Sequence, residues 1–191
     1  NGYLKDQAYI NFSSGSMTCN NGSTYEMAHP SNSGQGIPTA TWNTGSTCLV
    51  TGITSSTTGI NAVQAFYNLT VNCPSWSGNL NFGWNSGTTN IAGTITVLNT
   101  GTGRWQFCAP TASTSDTLNI GGNLIIDGSA SSASALVNVT SNGTGNGSTT
   151  IVINVSGNVT VTGNPTNTSW TNFSVSRGSQ GGTGTTTWNL Y

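Results

Sequence analysis

Three segments of the chain share one pattern, and this repeat restricts the fold more than any other feature. They read NIAGTITVLN at 90–99, NIGGNLIIDG at 119–128 and NVSGNVTVTG at 154–163. Each begins with asparagine, an aliphatic residue, any residue and glycine, and continues with aliphatic residues at every second position. The glycines, Gly93, Gly122 and Gly157, are separated by 29 and then 35 residues. A unit that recurs within about 20 to 50 residues is typical of solenoids and propellers.

The residues after each glycine predict a strand with one buried face. Side chains alternate between the two faces of a strand, so the aliphatic positions of each unit point the same way. An earlier unit, FYNLTVN at 66–72, has the same alternation. The predicted inward residues are Leu69, Val71, Ile95, Val97, Leu124, Ile126, Val159 and Val161.

Asparagine and glycine are expected at the corners between strands. Both residue types adopt positive φ more readily than others, and stacked side-chain amides can satisfy the backbone groups of turns. Apolar residues nowhere recur convincingly every 3.6 positions, so helices are expected to be nearly absent.

Two all-β arrangements fit these features. One is a parallel β-helix, or β-solenoid, with coils of irregular length; the alternative is an antiparallel β-sandwich. Insertions of unequal length leave a stacked strand undisturbed but disrupt paired hairpins, which favours the parallel β-helix. We therefore expect residues 1–191 to form a single β-solenoid segment of a larger protein.

The chain has few charges. Only 4% of its residues are Asp, Glu, Lys or Arg, and the net charge is -1. Nucleic-acid binding requires basic side chains that displace counterions from phosphates, so a nucleic-acid partner is excluded. No segment has the roughly 20 consecutive apolar residues of a membrane span.

Four cysteines, Cys19, Cys48, Cys73 and Cys108, leave two interpretations open. The single histidine and the absence of a CxxC pair exclude the usual zinc-finger spacings, so no metal site is expected. Two disulfides formed outside the cytosol fit an even number of cysteines, and buried free thiols are the alternative.

The sequence does not predict an enzyme, a catalytic residue or a cofactor. Hydrolysis of a polysaccharide requires carboxylates that converge on one bond, whereas the four acids are dispersed along the chain. The sharpest local combination is YEMAHP, which contains Tyr25, Glu26 and His29. A small site and a surface turn with one ion pair or hydrogen bond both fit it, and the turn is favoured.

Six tryptophans suggest carbohydrate binding as an alternative function. Sugars stack their C–H faces on exposed aromatic rings, and Trp76 and Trp84 lie in a glycine-rich region. Arg104 could donate hydrogen bonds beside Trp105. The predicted glycan-binding residues are therefore Trp76, Trp84, Arg104 and Trp105, unless these rings fill the core or cap the coils.

Several stretches resemble modules of large cell-surface and secreted proteins of Bacteroidetes, of the gliding and type IX secretion group. They are STYE, IPTATWNTGSTCLVTGIT and FYNLTVNC, together with the glycine repeats that follow. The resemblance implies an exported, extracellular, adhesin-like β-solenoid region without catalytic activity. Its implied partners are surface polysaccharide or other copies of the parent protein.

The resemblance also implies two kinds of covalent modification. Cys48 and Cys73 recur together in such modules, which implies a disulfide between them and leaves Cys19 with Cys108. Asp116–Leu118 is similar to the O-glycosylation acceptor motif of this phylum, with Thr117 as the acceptor. An ordinary turn is the alternative interpretation of those three residues.

Overall fold

The computed structural model describes residues 2–8, 10, 15–30, 36–55, 60–82, 87–108, 115–130, 135–140, 150–163, 171–174 and 185–191. This part of the chain is built from short β-strands and contains no helix. The predicted all-β character is therefore confirmed.

The strands follow one another along the whole described chain. They are β1 (Tyr3–Asp6), β2 (Met17–Cys19), β3 (Thr24–Met27), β4 (Ala40–Trp42), β5 (Thr47–Val50), β6 (Asn68–Asn72), β7 (Asn79–Asn81), β8 (Gly87–Ile91), β9 (Ile95–Asn99), β10 (Arg104–Cys108), β11 (Ser115–Ile120), β12 (Leu124–Gly128), β13 (Ala135–Thr140), β14 (Thr150–Val155), β15 (Val159–Gly163), β16 (Thr171–Ser174) and β17 (Thr185–Leu190).

Each strand pairs with a strand one repeat away. The largest sheet has the order β1-β3-β5-β6-β9-β12-β15, two four-stranded sheets have the orders β7-β10-β13-β16 and β8-β11-β14-β17, and β2 pairs with β4. From β7 onwards, consecutive strands therefore enter three sheets in a fixed cyclic order. All described pairings are parallel, which excludes the antiparallel sandwich.

Two columns of inward side chains cross the seven-stranded sheet in register. We call them the first and second inward columns. The first contains Leu4, Tyr25, Cys48, Leu69, Ile95, Leu124 and Val159, and the second contains Asp6, Met27, Val50, Val71, Val97, Ile126 and Val161. The aliphatic members from β6, β9 and β12 have no exposed surface. Burying each such side chain contributes about 1.5–3 kcal/mol, so the columns form a major part of the core.

We call each successive repeat, which adds one strand to a sheet, a layer. The repeat glycines are needed for close approach between layers, and the expectation of positive φ is wrong for them. Positive φ occurs at other glycines, such as Gly45 and Gly101. A Cβ on Gly122 would lie 2.8 Å from the carbonyl carbon of Gly93, and a Cβ on Gly157 would lie 2.8 Å from the carbonyl oxygen of Gly122. These distances are too short for a side chain, and the N–H of Gly157 donates to the oxygen of Gly122 at 3.0 Å.

Candidate functional site

The structure contradicts the tryptophan-based glycan site for two of its four residues. Trp76 and Trp105 are 1% and 0% exposed, so neither ring is available to stack on a sugar. The ring of Trp105 packs between Phe82 and Phe107, with centroid separations of 4.5 and 5.0 Å. Both tryptophans are therefore core residues, as the alternative interpretation expected.

The other two predicted glycan-binding residues do not restore the site. Arg104 is exposed at the start of β10, but the neighbouring Trp105 ring is buried on the other face of that strand. Trp84 lies outside the described residues. Within the described residues, Arg104 is therefore the one predicted glycan-binding residue whose side chain is exposed.

The predicted disulfide between Cys48 and Cys73 is not formed. Cys19, Cys48 and Cys73 are buried free thiols, which is the alternative that the sequence left open. The thiol of Cys73 donates to the carbonyl oxygen of Val50 at 3.2 Å. Burial raises the pKa of Cys73 to about 12, and it also raises the pKa of Cys19 and of Cys48. The side chain of Cys108, the predicted partner of Cys19, lies outside the described residues.

Thr117 lies in the middle of β11 and not in a turn. It is partly exposed between the buried Asp116 and Leu118, because alternate residues of this strand face outward. A hydroxyl at this position points away from the core. Its proposed role as an O-glycosylation acceptor stays a prediction.

Tyr25, Glu26 and His29 lie in a buried polar cluster with Asp6, and not in a surface turn. Asp6, Glu26 and His29 are 2%, 5% and 3% exposed. Asp6 is the β1 member of the second inward column, where later strands have aliphatic residues. We call this set of four residues the N-terminal polar cluster.

The inner half of the N-terminal polar cluster surrounds the Asp6 carboxylate. Tyr25 donates its hydroxyl hydrogen to Oδ2 at 2.9 Å, and the backbone N–H of Ile10 donates to the same oxygen at 3.0 Å. The N–H of Ala8 donates to Oδ1 at 3.3 Å, and His29 Nε2 lies 3.6 Å from Oδ2. Burial, followed by the hydrogen bond to Asp6, raises the pKa of Tyr25, so the phenol stays protonated and donates.

The outer half surrounds Glu26, which points to the opposite side of the sheet. Tyr25 and Met27 face the core, so the residue between them faces outward. Lys5 Nζ lies 3.2 Å from Glu26 Oε1, and Thr51 donates its hydroxyl hydrogen to that oxygen at 2.6 Å. Tyr3 donates its hydroxyl hydrogen to Oε2. Three side chains thus cover an outward carboxylate.

The two acids of this cluster have different partners. Asp6 and Glu26 face opposite sides of one sheet, Asp6 accepts from Tyr25, and Glu26 accepts from Thr51. A nearby open cavity of about 250 Å³ is lined by Leu4, Met17, Cys19 and Tyr25, among others, but not by Asp6 or His29. A substrate in this cavity would therefore not contact the acid–histidine pair.

A row of asparagines joins the outer parts of successive layers. Asn119 Nδ2 donates to Asn90 Oδ1, Asn154 Nδ2 to Asn119 Oδ1, and Asn189 Nδ2 to Asn154 Oδ1, each at 2.7 Å. We call these four residues the asparagine ladder. Three of them are the first asparagines of the repeat, so their shared column followed from the sequence, whereas their mutual hydrogen bonds did not.

Asparagine side chains also satisfy corner backbone groups, as the sequence predicted. Asn68 Oδ1 accepts from the N–H of Thr94 at 2.9 Å, and Asn123 Oδ1 accepts from the N–H of Asn158 at 2.8 Å. Each bond joins one layer to the next.

Asp6 was not predicted to belong to a site. Leu4 and Asp6 alternate as the inward residues of later strands do, and this alternation was the available signal, but a carboxylate at an inward position is unusual. Within the described ranges, no group of three or more His, Cys, Asp or Glu residues could hold a metal ion. Nor does this part of the chain contain a helix long and apolar enough to cross a membrane.

Comparison of the chain with protein-family models, curated proteins and solved structures finds no match.

Proposed function

We propose that this chain is a non-catalytic β-solenoid that serves as a stiff spacer or adhesive region of an exported cell-surface protein. The observation that supports this most is the unbroken register of the two inward columns from β1 to β15. Each layer adds one strand to the stack and buries its aliphatic side chains against the layer before. Extension along one direction is the property that such stacking supplies.

The cyclic strand order supports the solenoid. Strands β7, β8 and β9 enter three different sheets, and β10, β11 and β12 enter the same three sheets one position further along. Strands β13, β14 and β15 repeat the step. A chain that winds once per repeat and stacks its coils produces this order, so each group of three strands is one proposed coil.

The contacts between layers are suited to resisting force. Parallel strands and the buried columns connect each layer to the next, and the asparagine ladder adds side-chain bonds from β8 to β17, so separating two of these layers requires many bonds to break together. Along the seven-stranded sheet, six steps of about 4.8 Å give a stack about 29 Å long.

The composition supports export and the absence of catalysis. Solubility in this chain depends on hydroxyl and amide groups, because only 4% of residues are charged. The two acids of the N-terminal polar cluster are fully engaged in holding the first layer, and they do not converge. A location at the cell surface and adhesion through other copies of the parent protein belong to the same proposal.

Single-molecule force spectroscopy tests the spacer function. The chain is pulled through its two ends, and a solenoid is expected to lose one layer at a time, giving a series of force peaks. Layers of 29 and 35 residues would each release about 10–12 nm of contour length, at about 3.5 Å per residue.

Ile126→Asn serves as a variant with a local effect. It places an amide at a position of the second inward column that has no exposed surface, so only the peaks that include β12 should weaken. A chain that extends without a force peak would contradict the proposal. Retention on insoluble polysaccharide that Arg104→Ala abolishes would favour glycan binding instead.

A further inference from the structure

The asparagine ladder ends at a small cleft beside β8. One wall is the segment that precedes β6, and the other is β8 itself. The cleft is open to solvent and has a volume of about 150 Å³, comparable with cavities that take up a benzene ring. We call it the β8 cleft, and its lining residues, none of which is charged, are Val63, Gln64, Ala65, Thr88, Thr89 and Asn90.

The backbone of β8 faces this cleft with groups that no described residue pairs. β8 is the first strand of its sheet, and it pairs with β11 on the other side. The N–H of Ala92 donates to the oxygen of Phe66 in the preceding layer at 3.0 Å, whereas the oxygen of Ile91 bonds the next layer. Alternate residues of a strand bond opposite neighbours, so the N–H and C=O groups of Asn90 and Thr88 point towards the preceding layer.

The preceding layer does not reach these groups, because it loses strand geometry before Phe66. The N–H of Gln64 donates to the oxygen of Ala62 at 3.0 Å, as in a turn. The Gln64 side chain fastens this turn, since its Oε1 accepts from the N–H of Ala40 at 3.0 Å and from Trp42 Nε1 at 3.1 Å. This wall of the cleft is therefore fixed before any ligand arrives, which reduces the entropic cost of binding.

Asn90 adds a side-chain donor on the same side. In Asn119 and Asn154, Oδ1 accepts from the next layer and Nδ2 donates to the preceding one. Asn90 has the same orientation, because its Oδ1 accepts from Asn119. Its Nδ2 thus points towards the β8 cleft, where it donates to no described group. Hydrogen bonds in a chain polarise one another, so this terminal amide is a stronger donor than an isolated asparagine.

These groups match a small secondary amide. Backbone N–H groups and Nδ2 can donate to its carbonyl oxygen, and a backbone C=O can accept from its N–H, as between two strands. A whole strand does not fit, because the bond between Phe66 and Ala92 closes the cleft at one end. The exposed side chains of Val63 and Ala65 offer apolar contact for a methyl group. The acetamido group of N-acetylated sugars combines an amide of this kind with a methyl group.

We propose that the β8 cleft binds the acetamido group of an N-acetylhexosamine in a polysaccharide, through the edge of β8 and the terminal amide of Asn90. The uncharged lining suits an uncharged sugar. Thr88, whose side chain is exposed, supplies a hydroxyl for a hydroxyl of the sugar ring. This site gives the adhesive role proposed above a ligand, and it rests on that role and on the solenoid arrangement.

Titration of the isotope-labelled full chain with chitotriose, a trimer of N-acetylglucosamine, tests the site by NMR. The side-chain amide signals of Asn90 and the backbone amide signal of Thr88 should shift and saturate. Cellotriose has the same linkage with hydroxyls in place of the acetamido groups, and it should leave these signals unchanged. Failure of chitotriose to bind overturns the proposal, as does equal binding of cellotriose.

Asn90→Ala and Asn189→Ala form a matched pair of variants. Each breaks one bond of the asparagine ladder, but only Asn90→Ala removes a group from the β8 cleft. Asn90→Ala should weaken chitotriose binding by about threefold to tenfold, through loss of one hydrogen bond. Asn189→Ala should bind as the unaltered chain does, and equal affinities of the two variants would contradict the role of Asn90.

Ala65→Glu tests the position of the site. Ala65 is exposed, so the longer side chain can be accommodated, and its carboxylate enters the β8 cleft and competes for the donors of Asn90 and Thr88. Chitotriose should no longer bind to this variant. Binding that persists would lie elsewhere on the chain, and the β8 cleft would then be wrong.

Force spectroscopy separates failure of this site from failure of the proposed function. If chitotriose does not bind while the layers still give separate force peaks, the stiff solenoid stands and the sugar site alone is wrong. If the force peaks are absent as well, the proposed function fails and the site fails with it.

Discussion

Gly122 has no room for a side chain, because consecutive layers approach each other through their backbones at this point. Its position in the sequence pattern was evident, but the reason for glycine was not. Sequence alone cannot distinguish a glycine needed for positive φ from one needed for close approach, and the structure assigns the repeat glycines to the second class.

Gly122→Ala is expected to lower the free energy of unfolding by about 1–3 kcal/mol, because the added Cβ forces two layers apart. Chemical denaturation measures the change. Gly2→Ala is the control, since a Cβ there meets no atom within 4 Å, and it should change stability by less than about 0.5 kcal/mol. Equal stability of the two variants would contradict this account of the repeat glycines.

Cys73 predicts a pH dependence of stability. Its folded pKa is about 12 and its ordinary value is 9.0, so the stabilising contribution is fully present below pH 9. Between pH 9 and pH 12 the unfolded thiol ionises while the folded thiol stays neutral, and the free energy of unfolding falls. One such thiol contributes up to about 1.4 kcal/mol per pH unit.

Urea denaturation from pH 8 to pH 11 measures this slope, and Cys73→Ala should make it shallower. Cys19 and Cys48, whose pKa values are also raised, should account for part of the remaining slope. An identical slope in the unaltered chain and in Cys73→Ala would show that Cys73 does not contribute.

The asparagine ladder adds side-chain hydrogen bonds to the backbone pairing of β8, β11, β14 and β17. Asn119 both donates to Asn90 and accepts from Asn154, whereas Asn189 only donates to Asn154 within the ladder. The loss caused by removing an amide should therefore depend on its position.

Asn119→Ala is expected to cost about 1–3 kcal/mol, since it breaks two hydrogen bonds at about 0.5–1.5 kcal/mol each. Asn189→Ala breaks one of these bonds and should cost about half as much. Thermal or chemical denaturation of both variants makes the comparison. A loss that is the same for both would indicate that the ladder bonds do not contribute.

The strands that follow the repeat glycines were predictable, and the first strand was not. In β9, β12 and β15 the alternation comes directly after a recognisable glycine, so the two signals support each other. In β1 the strand has four residues and an acid at an inward position. A carboxylate becomes acceptable there through donors such as Tyr25, Ala8 and Ile10, whose contacts depend on the folded chain.

The second inward column changes in chemistry along the seven-stranded sheet. Its β1 member, Asp6, is a buried acid, whereas its members from β5 to β12 are aliphatic and have no exposed surface. The candidate site was only partly predictable, because YEMAHP indicated three members of the N-terminal polar cluster but not the residue that joins them to the core.

Asp6→Val is expected to lower the free energy of unfolding by about 1–3 kcal/mol, because the buried Tyr25 hydroxyl and the N–H groups of Ala8 and Ile10 lose their acceptor. Chemical denaturation measures the change.

Asp127→Val is the control for removal of an acid. Asp127 lies at an outward position of β12 and accepts from the N–H of Ser129 at 3.0 Å, so this variant should lose less stability than Asp6→Val. Equal losses in the two variants would show that the contacts of Asp6 do not stabilise the fold.

The spacing within the asparagine ladder has a consequence for how such chains change in evolution. Asn90 and Asn119 are 29 residues apart and Asn119 and Asn154 are 35 apart, yet both pairs bond at 2.7 Å. The second connection is therefore six residues longer than the first, and the hydrogen bond between the layers has the same length. Genetic insertions in these connections would escape selection against misfolding, so new binding loops could be acquired there while the scaffold stays the same.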